Sequence, residues 1–209
     1  ILATENNTTI SFNDIKTGVS LINDAGSGNT PANITLNRGE SYAIAVEGPN
    51  VANKDGLTGA SITSDKPIAV NCGSFAGSNG TTSNLDLGFD QIVSAERTGT
   101  EYIFIKGNGV DVTERPLIVA NENNTDVFLN GSATPFITLN AGEYLALCGA
   151  DFSSAGNLYV RTSKKVFVYQ GIGGTSAQQN QNMHFVPPLS CETPKIINNI
   201  PFINEVGSN

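Results

Sequence analysis

Ile118-Val119-Ala120-Asn121-Glu122-Asn123-Asn124-Thr125 is a near copy of Ile1-Leu2-Ala3-Thr4-Glu5-Asn6-Asn7-Thr8. Working outward from this pair, two further matches follow in the same order. Ile34-Thr35-Leu36-Asn37-Arg38-Gly39-Glu40 is answered by Ile137-Thr138-Leu139-Asn140-Ala141-Gly142-Glu143. Ser64-Asp65-Lys66-Pro67-Ile68-Ala69-Val70 is answered by Thr162-Ser163-Lys164-Lys165-Val166-Phe167-Val168, and Gly73 by Gly171. Ordered matches of this kind predict a chain built from two copies of one ancestral unit. The first copy is longer, chiefly through an insertion around residues 24–29.

Each copy reads as strands. Tyr42, Ile44 and Val46 alternate with Ser41, Ala43 and Ala45, the period of a strand with one face more deeply buried. Leu145 and Leu147 stand where Tyr42 and Ile44 stand in the first copy. Tyr102-Ile103-Phe104-Ile105 and Leu117-Ile118-Val119 are continuous apolar runs, which predict strands covered on both faces. Asn130-Gly131 and Asn108-Gly109 are hairpin signals, and Gly39 and Gly142 sit where a positive φ is expected. No segment carries a sustained helical period between caps, and Gln91–Glu96 predicts one turn at most. The expected fold is all-β, with two pseudo-symmetric β-sandwich or jelly-roll-like lobes. Residues 1–115 form the first repeat with its insertions, 116–192 the second, and 193–209 a connector to a further module.

Composition narrows the function. Charged residues are only 14% of the 209, and 22 glycines help to fill their place, as in short strands joined by tight turns. The net charge of −8 excludes nucleic acid and anionic lipid as partners, since both need clustered Lys or Arg. No apolar stretch approaches the length of a membrane span, so no membrane insertion is expected. Cys72, Cys148 and Cys191 allow at most one internal disulfide and match no zinc spacing.

Catalytic chemistry finds no footing. His184 is the sole histidine, and no Gly-x-Ser-x-Gly elbow accompanies it, so no serine or cysteine hydrolase is predicted. Gly171-Ile172-Gly173-Gly174 follows a strand but precedes no helix that could cradle a phosphate. Calcium is the one cofactor the residues suggest. It wants six to eight oxygens, and oxygen-rich loops occur at residues 24–29, 53–55 and 86–90, with Asp86 and Asp90 as the candidate metal ligands. Asx turns account for the same residues without an ion. Phe75, Phe89 and Phe152 lie in or beside glycine-rich segments and are the candidate ligand-binding aromatics, the alternative being that they fold back onto the core.

Ile62-Thr63-Ser64-Asp65-Lys66-Pro67-Ile68-Ala69-Val70 resembles a signature of the N-terminal domain of IgG-Fc-binding protein. The second copy from Thr162 to Gly174, with Gly88–Val93 and Phe185–Cys191, resembles the bacterial branch of that family. Members of that branch are long, type IX-secreted surface proteins of gliding Bacteroidetes-type bacteria. The resemblance covers about residues 1–192. It implies an extracellular, cell-surface setting and a non-catalytic adhesin module. Its expected partners are a cell-surface glycan or protein and the neighbouring domains of the same long chain. A structural spacer or capping domain with no ligand of its own is the alternative.

Overall fold

The computed structural model describes residues 1–22, 33–47, 53–77, 86–173, 183–190 and 196, and of residues 75–77 and 86 only the backbone. The expected insertion at 24–29 and all of the expected connector except Ile196 lie outside the described residues, as does Cys191. The described chain is all-β, with short 3-10 turns at Ala95–Arg97 and Gly149–Asp151. The turn expected within 91–96 lies slightly later, because Gln91 still ends a strand.

The second half is organised on one long strand. It comprises β10 (Gly99–Ile105), β11 (Arg115–Ala120), β12 (Thr125–Leu129), β13 (Ile137–Leu139), β14 (Tyr144–Ala146), β15 (Asn157–Gly171) and β16 (Met183–Phe185). These form a seven-stranded antiparallel sheet in the order β13-β12-β15-β11-β14, with β10 and β16 also on β15. Val160 is flanked by Tyr102 and Leu129, Val166 by Gly99 and Ala120, and Tyr169 by Leu117 and Phe185. One edge of β15 therefore carries β12 and then β11, and the other carries β10 and then β16. Alternation along β15 buries Leu158, Val160, Val166 and Val168 completely, against Tyr102, Phe104, Ile118 and Val127. Burying each such aliphatic side chain contributes roughly 1.5–3 kcal/mol.

Sequence reading misjudged the faces of two strands. Tyr102 and Phe104 are fully buried, but Ile103 is 44% and Ile105 65% exposed. In β11, Pro116, Ile118 and Ala120 are buried while Leu117 and Val119 are half-buried. β-branched residues suit a pleated strand on either face, so an apolar run does not establish double coverage.

The first half comprises β1 (Leu2–Ala3), β2 (Thr8–Asn13), β3 (Leu21–Ile22), β4 (Ile34–Leu36), β5 (Ala45–Val46), β6 (Ser61–Ser64), β7 (Ile68–Ala69), β8 (Asn71–Gly77) and β9 (Asp86–Gln91). They pair as β4-β2-β6, β1-β7, β3-β5 and β8-β9, over a smaller core of Ala3, Ile10, Phe12 and Leu36.

Pairings in the two halves correspond residue for residue. Ala3 faces Ile68 as Ala120 faces Val166. Ile10 faces Ser64 as Val127 faces Thr162, and Thr8 faces Leu36 as Thr125 faces Leu139. The shared Glu-Asn-Asn-Thr phrase builds a corner between β1 and β2, and again between β11 and β12. Its second asparagine takes a positive φ of 55° in both copies, a conformation asparagine tolerates. The Thr8 and Thr125 hydroxyls donate to Glu5 O at 2.8 Å and Glu122 O at 2.7 Å. Asn6 Oδ1 accepts the Arg38 amide at 3.1 Å, and Asn123 Oδ1 the Ala141 amide at 3.0 Å. Lys66 and Lys164 each donate to the carbonyl of the first asparagine at 2.6 Å. Gly39 and Gly142 take φ of 84° and 81°, as their turns demand.

Candidate functional site

Four of the five residues singled out from sequence lie on the β8–β9 pair, Phe75 on β8 and Asp86, Phe89 and Asp90 on β9, and only Phe152 lies apart from it. Phe89 is 46% exposed on the β8–β9 pair, opposite Gly73. Phe75 lies on β8, and its side chain is outside the described residues, as is that of Asp86. Phe152 follows the alternative expected of these aromatics: only 9% exposed, it folds back into the core cluster that holds Leu147 and Leu158 rather than lining a rim. The 3-10 turn before it folds the segment inward, with Asp151 Oδ2 accepting the Cys148 amide at 2.8 Å.

Asp90, the other candidate metal ligand, makes two backbone hydrogen bonds. Its Oδ1 accepts the Gln91 amide and its Oδ2 the Phe185 amide, both at 2.8 Å. The carboxylate therefore ties β9 to β16. Among the described residues no three His, Cys, Asp or Glu side chains gather where they could hold a metal. Asn53, in another oxygen-rich loop, is buried and accepts the Ser20 amide at 2.9 Å while donating to Glu47 O. His184 is exposed on β16 opposite Gln170. Cys72 and Cys148 are free thiols.

A buried carboxylate escaped sequence reading. Glu114 is fully buried, and its two oxygens accept the amides of Gly107 at 3.2 Å and Gly109 at 3.0 Å. A Cβ on Gly109 would stand 2.7 Å from Glu114 Oε1, so glycine is what lets the backbone approach. The nearby glycine spacing was the one available hint.

The halves meet at a second polar cluster. Lys16 Nζ lies 2.6 Å from Asp55 Oδ2, and the Tyr144 hydroxyl donates to the same oxygen at 2.7 Å. The Lys16 ammonium also stands 4.9 Å from the centre of the Tyr144 ring, within cation–π range. Hydrogen bonds from Lys16 and then Tyr144 hold the Asp55 carboxyl below its ordinary value, while the bond to Asp55 pushes the Tyr144 phenol up. Asp55 is thus the charged acceptor and Tyr144 keeps its proton. Close by, a Cβ on Gly59 would fall 1.9 Å from Gly142 O, so the two turns touch backbone to backbone.

Beside this cluster runs an open groove of about 460 Å³, lined by Lys16, Ile137, Thr138, Leu139, Glu143 and Tyr144. Ile137 supplies the exposed apolar surface, and the polar side chains supply an ammonium, a carboxylate and two hydroxyls that donate to Asp126 and Asp55. That mixture suits an extended polar ligand held by packing and a few hydrogen bonds. Lys16 and Tyr144 carried no sequence signal, because they lie far apart in the chain and meet only through the fold.

Residues 1–207 match the IgGFc binding protein family. The chain belongs to that family. The match covers both halves and the groove between them, so the family's domain takes in the pair. No curated protein and no solved structure matches the chain. Among the described residues of this family member, no helix is long and apolar enough to cross a membrane.

Proposed function

We propose that the chain is a non-catalytic, extracellular binding module that holds a protein or glycan in the groove between its halves. Family membership across both halves carries this reading. The groove supports it by placing the Lys16 ammonium, the Tyr144 ring and the exposed side chain of Ile137 around one open cleft. In the fuller form of this reading, the halves are two β-sandwich-like lobes descended from one duplicated unit. Residues 1–115 and 116–192 are the two repeats, and 193–209 leads to a further module. The setting is a long adhesive surface protein of a gliding bacterium, exported by the type IX route.

The test is a screen of glycans, extracellular-matrix proteins and immunoglobulin Fc, run with calcium and with chelator. A ligand bound by the wild type and lost on Lys16→Ala and Ile137→Ser supports the groove. Binding that ignores both substitutions overturns it. A screen with no ligand at all favours the spacer.

A further inference from the structure

The Asn-Gly pair at Asn108-Gly109 does not make the hairpin that its sequence suggests. It lies between β10 and β11, which border opposite edges of β15, and neither residue takes the positive φ of a two-residue turn. Glu114 fixes the backbone on both sides of Asn108 instead. Its Oε2 accepts the Gly107 amide at 3.2 Å and its Oε1 the Gly109 amide at 3.0 Å, and the carboxylate is fully buried. Neither ion pair among the described residues includes Glu114. Asn108 itself is exposed, and among the described residues its carboxamide makes no hydrogen bond.

At Asn130-Gly131 the arrangement is reversed. Asn130 Oδ1 accepts the Tyr159 amide and Nδ2 donates to Asp151 O, both at 3.2 Å, so the carboxamide is tied at both ends. Beside Gly131 the space is open, since a Cβ there would meet nothing within 4 Å. At Gly109 a Cβ would stand 2.7 Å from Glu114 Oε1 and 2.6 Å from Gly173 O, so this backbone is packed against oxygen. The first pair thus has a free carboxamide and a carboxylate on its glycine nitrogen. The second has a tied carboxamide and, among the described residues, no carboxylate on its glycine nitrogen.

We propose that Asn108-Gly109 is a self-modification site at which Glu114 acts as general base. An amide nitrogen is a poor nucleophile until its proton is removed, and Glu114 Oε1 already accepts the hydrogen bond of that proton. The Gly109 nitrogen attacks Asn108 Cγ while its proton passes to Oε1. The Cγ–Nδ2 bond then breaks, Nδ2 takes the proton from Glu114, and ammonia leaves a cyclic succinimide behind. Water opens that ring at either carbonyl, giving aspartate or isoaspartate at position 108. Glycine at 109 suits the step, as no Cβ shields its nitrogen. The product sets a new carboxylate near that of Glu114.

The experiment incubates the whole chain at neutral pH and follows positions 108 and 130 by peptide mapping. Mass spectrometry reads amide converted to acid, and chromatography separates isoaspartate. Synthetic peptides of residues 104–112 and 127–135, which lack Glu114 and the fold, are run in parallel. Asn108 should convert faster in the folded chain than in its peptide, and Asn130 slower. An equal or slower rate for Asn108 in the folded chain would show that Glu114 only clamps the loop, and would overturn the proposal. Glu114→Gln keeps the size of the side chain and removes the base. It should slow conversion at Asn108 by about a hundredfold, the lower end of what a positioned base supplies. Asn130 is the internal control in that variant, because its protection reports an intact fold. An unchanged rate at Asn108 with Asn130 still protected also overturns the proposal. Should the variant unfold, the comparison of wild type with peptide decides alone.

Discussion

The β1–β7 ladder and the β11–β15 ladder share register, corner and turn, yet among the described residues only the second is closed over its core. Ala120, Val127 and Leu139 in the second half match Ala3, Ile10 and Leu36 in the first, and all six are buried. The difference lies along one strand edge, where β10 sets Tyr102 beside Val160 and Phe104 beside Leu158, while Ile62 has no such neighbour among the described residues. Hydrogen-bonded corners set the pairing of strands, but they do not determine how much apolar surface ends up covered. Coverage depends on which further strand arrives.

The largest effect should come from removing that cover. Phe104→Ala deletes a fully buried ring and should destabilise the second half by about 3–5 kcal/mol, read from the urea midpoint. A loss below about 1 kcal/mol would mean that β10 adds little to the core, and the contrast between the halves would break.

A matched pair sharpens the same contrast. Val160 is fully buried and Ile62 half-buried at equivalent positions. Ile62→Ala removes more atoms, yet it should destabilise less than Val160→Ala, because its site already borders solvent and leaves less of a cavity. The reverse order in denaturant melts would show that the first core is as closed as the second.

Asp90 bridges the halves through the Phe185 amide, so Asp90→Ala should cost about 1 kcal/mol. The loss should be equal in calcium and in chelator, and wild type should melt identically in both buffers. A calcium-dependent melting point in wild type, absent from the variant, would support the metal reading of Asp90.

The smallest effect is expected at the junction. The Lys16 and Asp55 side chains are 36% and 40% exposed, so solvent screens the pair. Tyr144→Phe should therefore cost less than about 1 kcal/mol by melting. Because the folded-state value of Asp55 is depressed, its contribution is complete above the ordinary carboxylate range, near about pH 4, and fades as pH falls through the lower folded value. Lys16→Ala should flatten that acid-side slope. An unchanged slope would mean that the junction carries no linked proton.

Legibility followed the range of the interaction. The turns at Gly39 and Gly142 were readable because a positive φ at glycine is a local property. The repeated Glu-Asn-Asn-Thr phrase showed only that two segments match, its corner being held by the distant Arg38 and Ala141 amides. Asn130-Gly131 was readable too, and both residues take positive φ, at 51° and 78°. The candidate site was barely readable. The loop holding Asp55 stood out, but nothing marked Lys16 or Tyr144, and Phe152 looked like any other aromatic near glycine.

By itself the sequence determined the all-β class, the glycine turns and which segments answer one another, since each rests on short strings of residues and the backbone conformations they favour. Only the tertiary structure decided that Phe152 lies inside and Ile105 outside, and that Glu114 is buried on two glycine amides. Those outcomes depend on what packs against each side chain from distant parts of the chain, and residue type alone does not specify that neighbour.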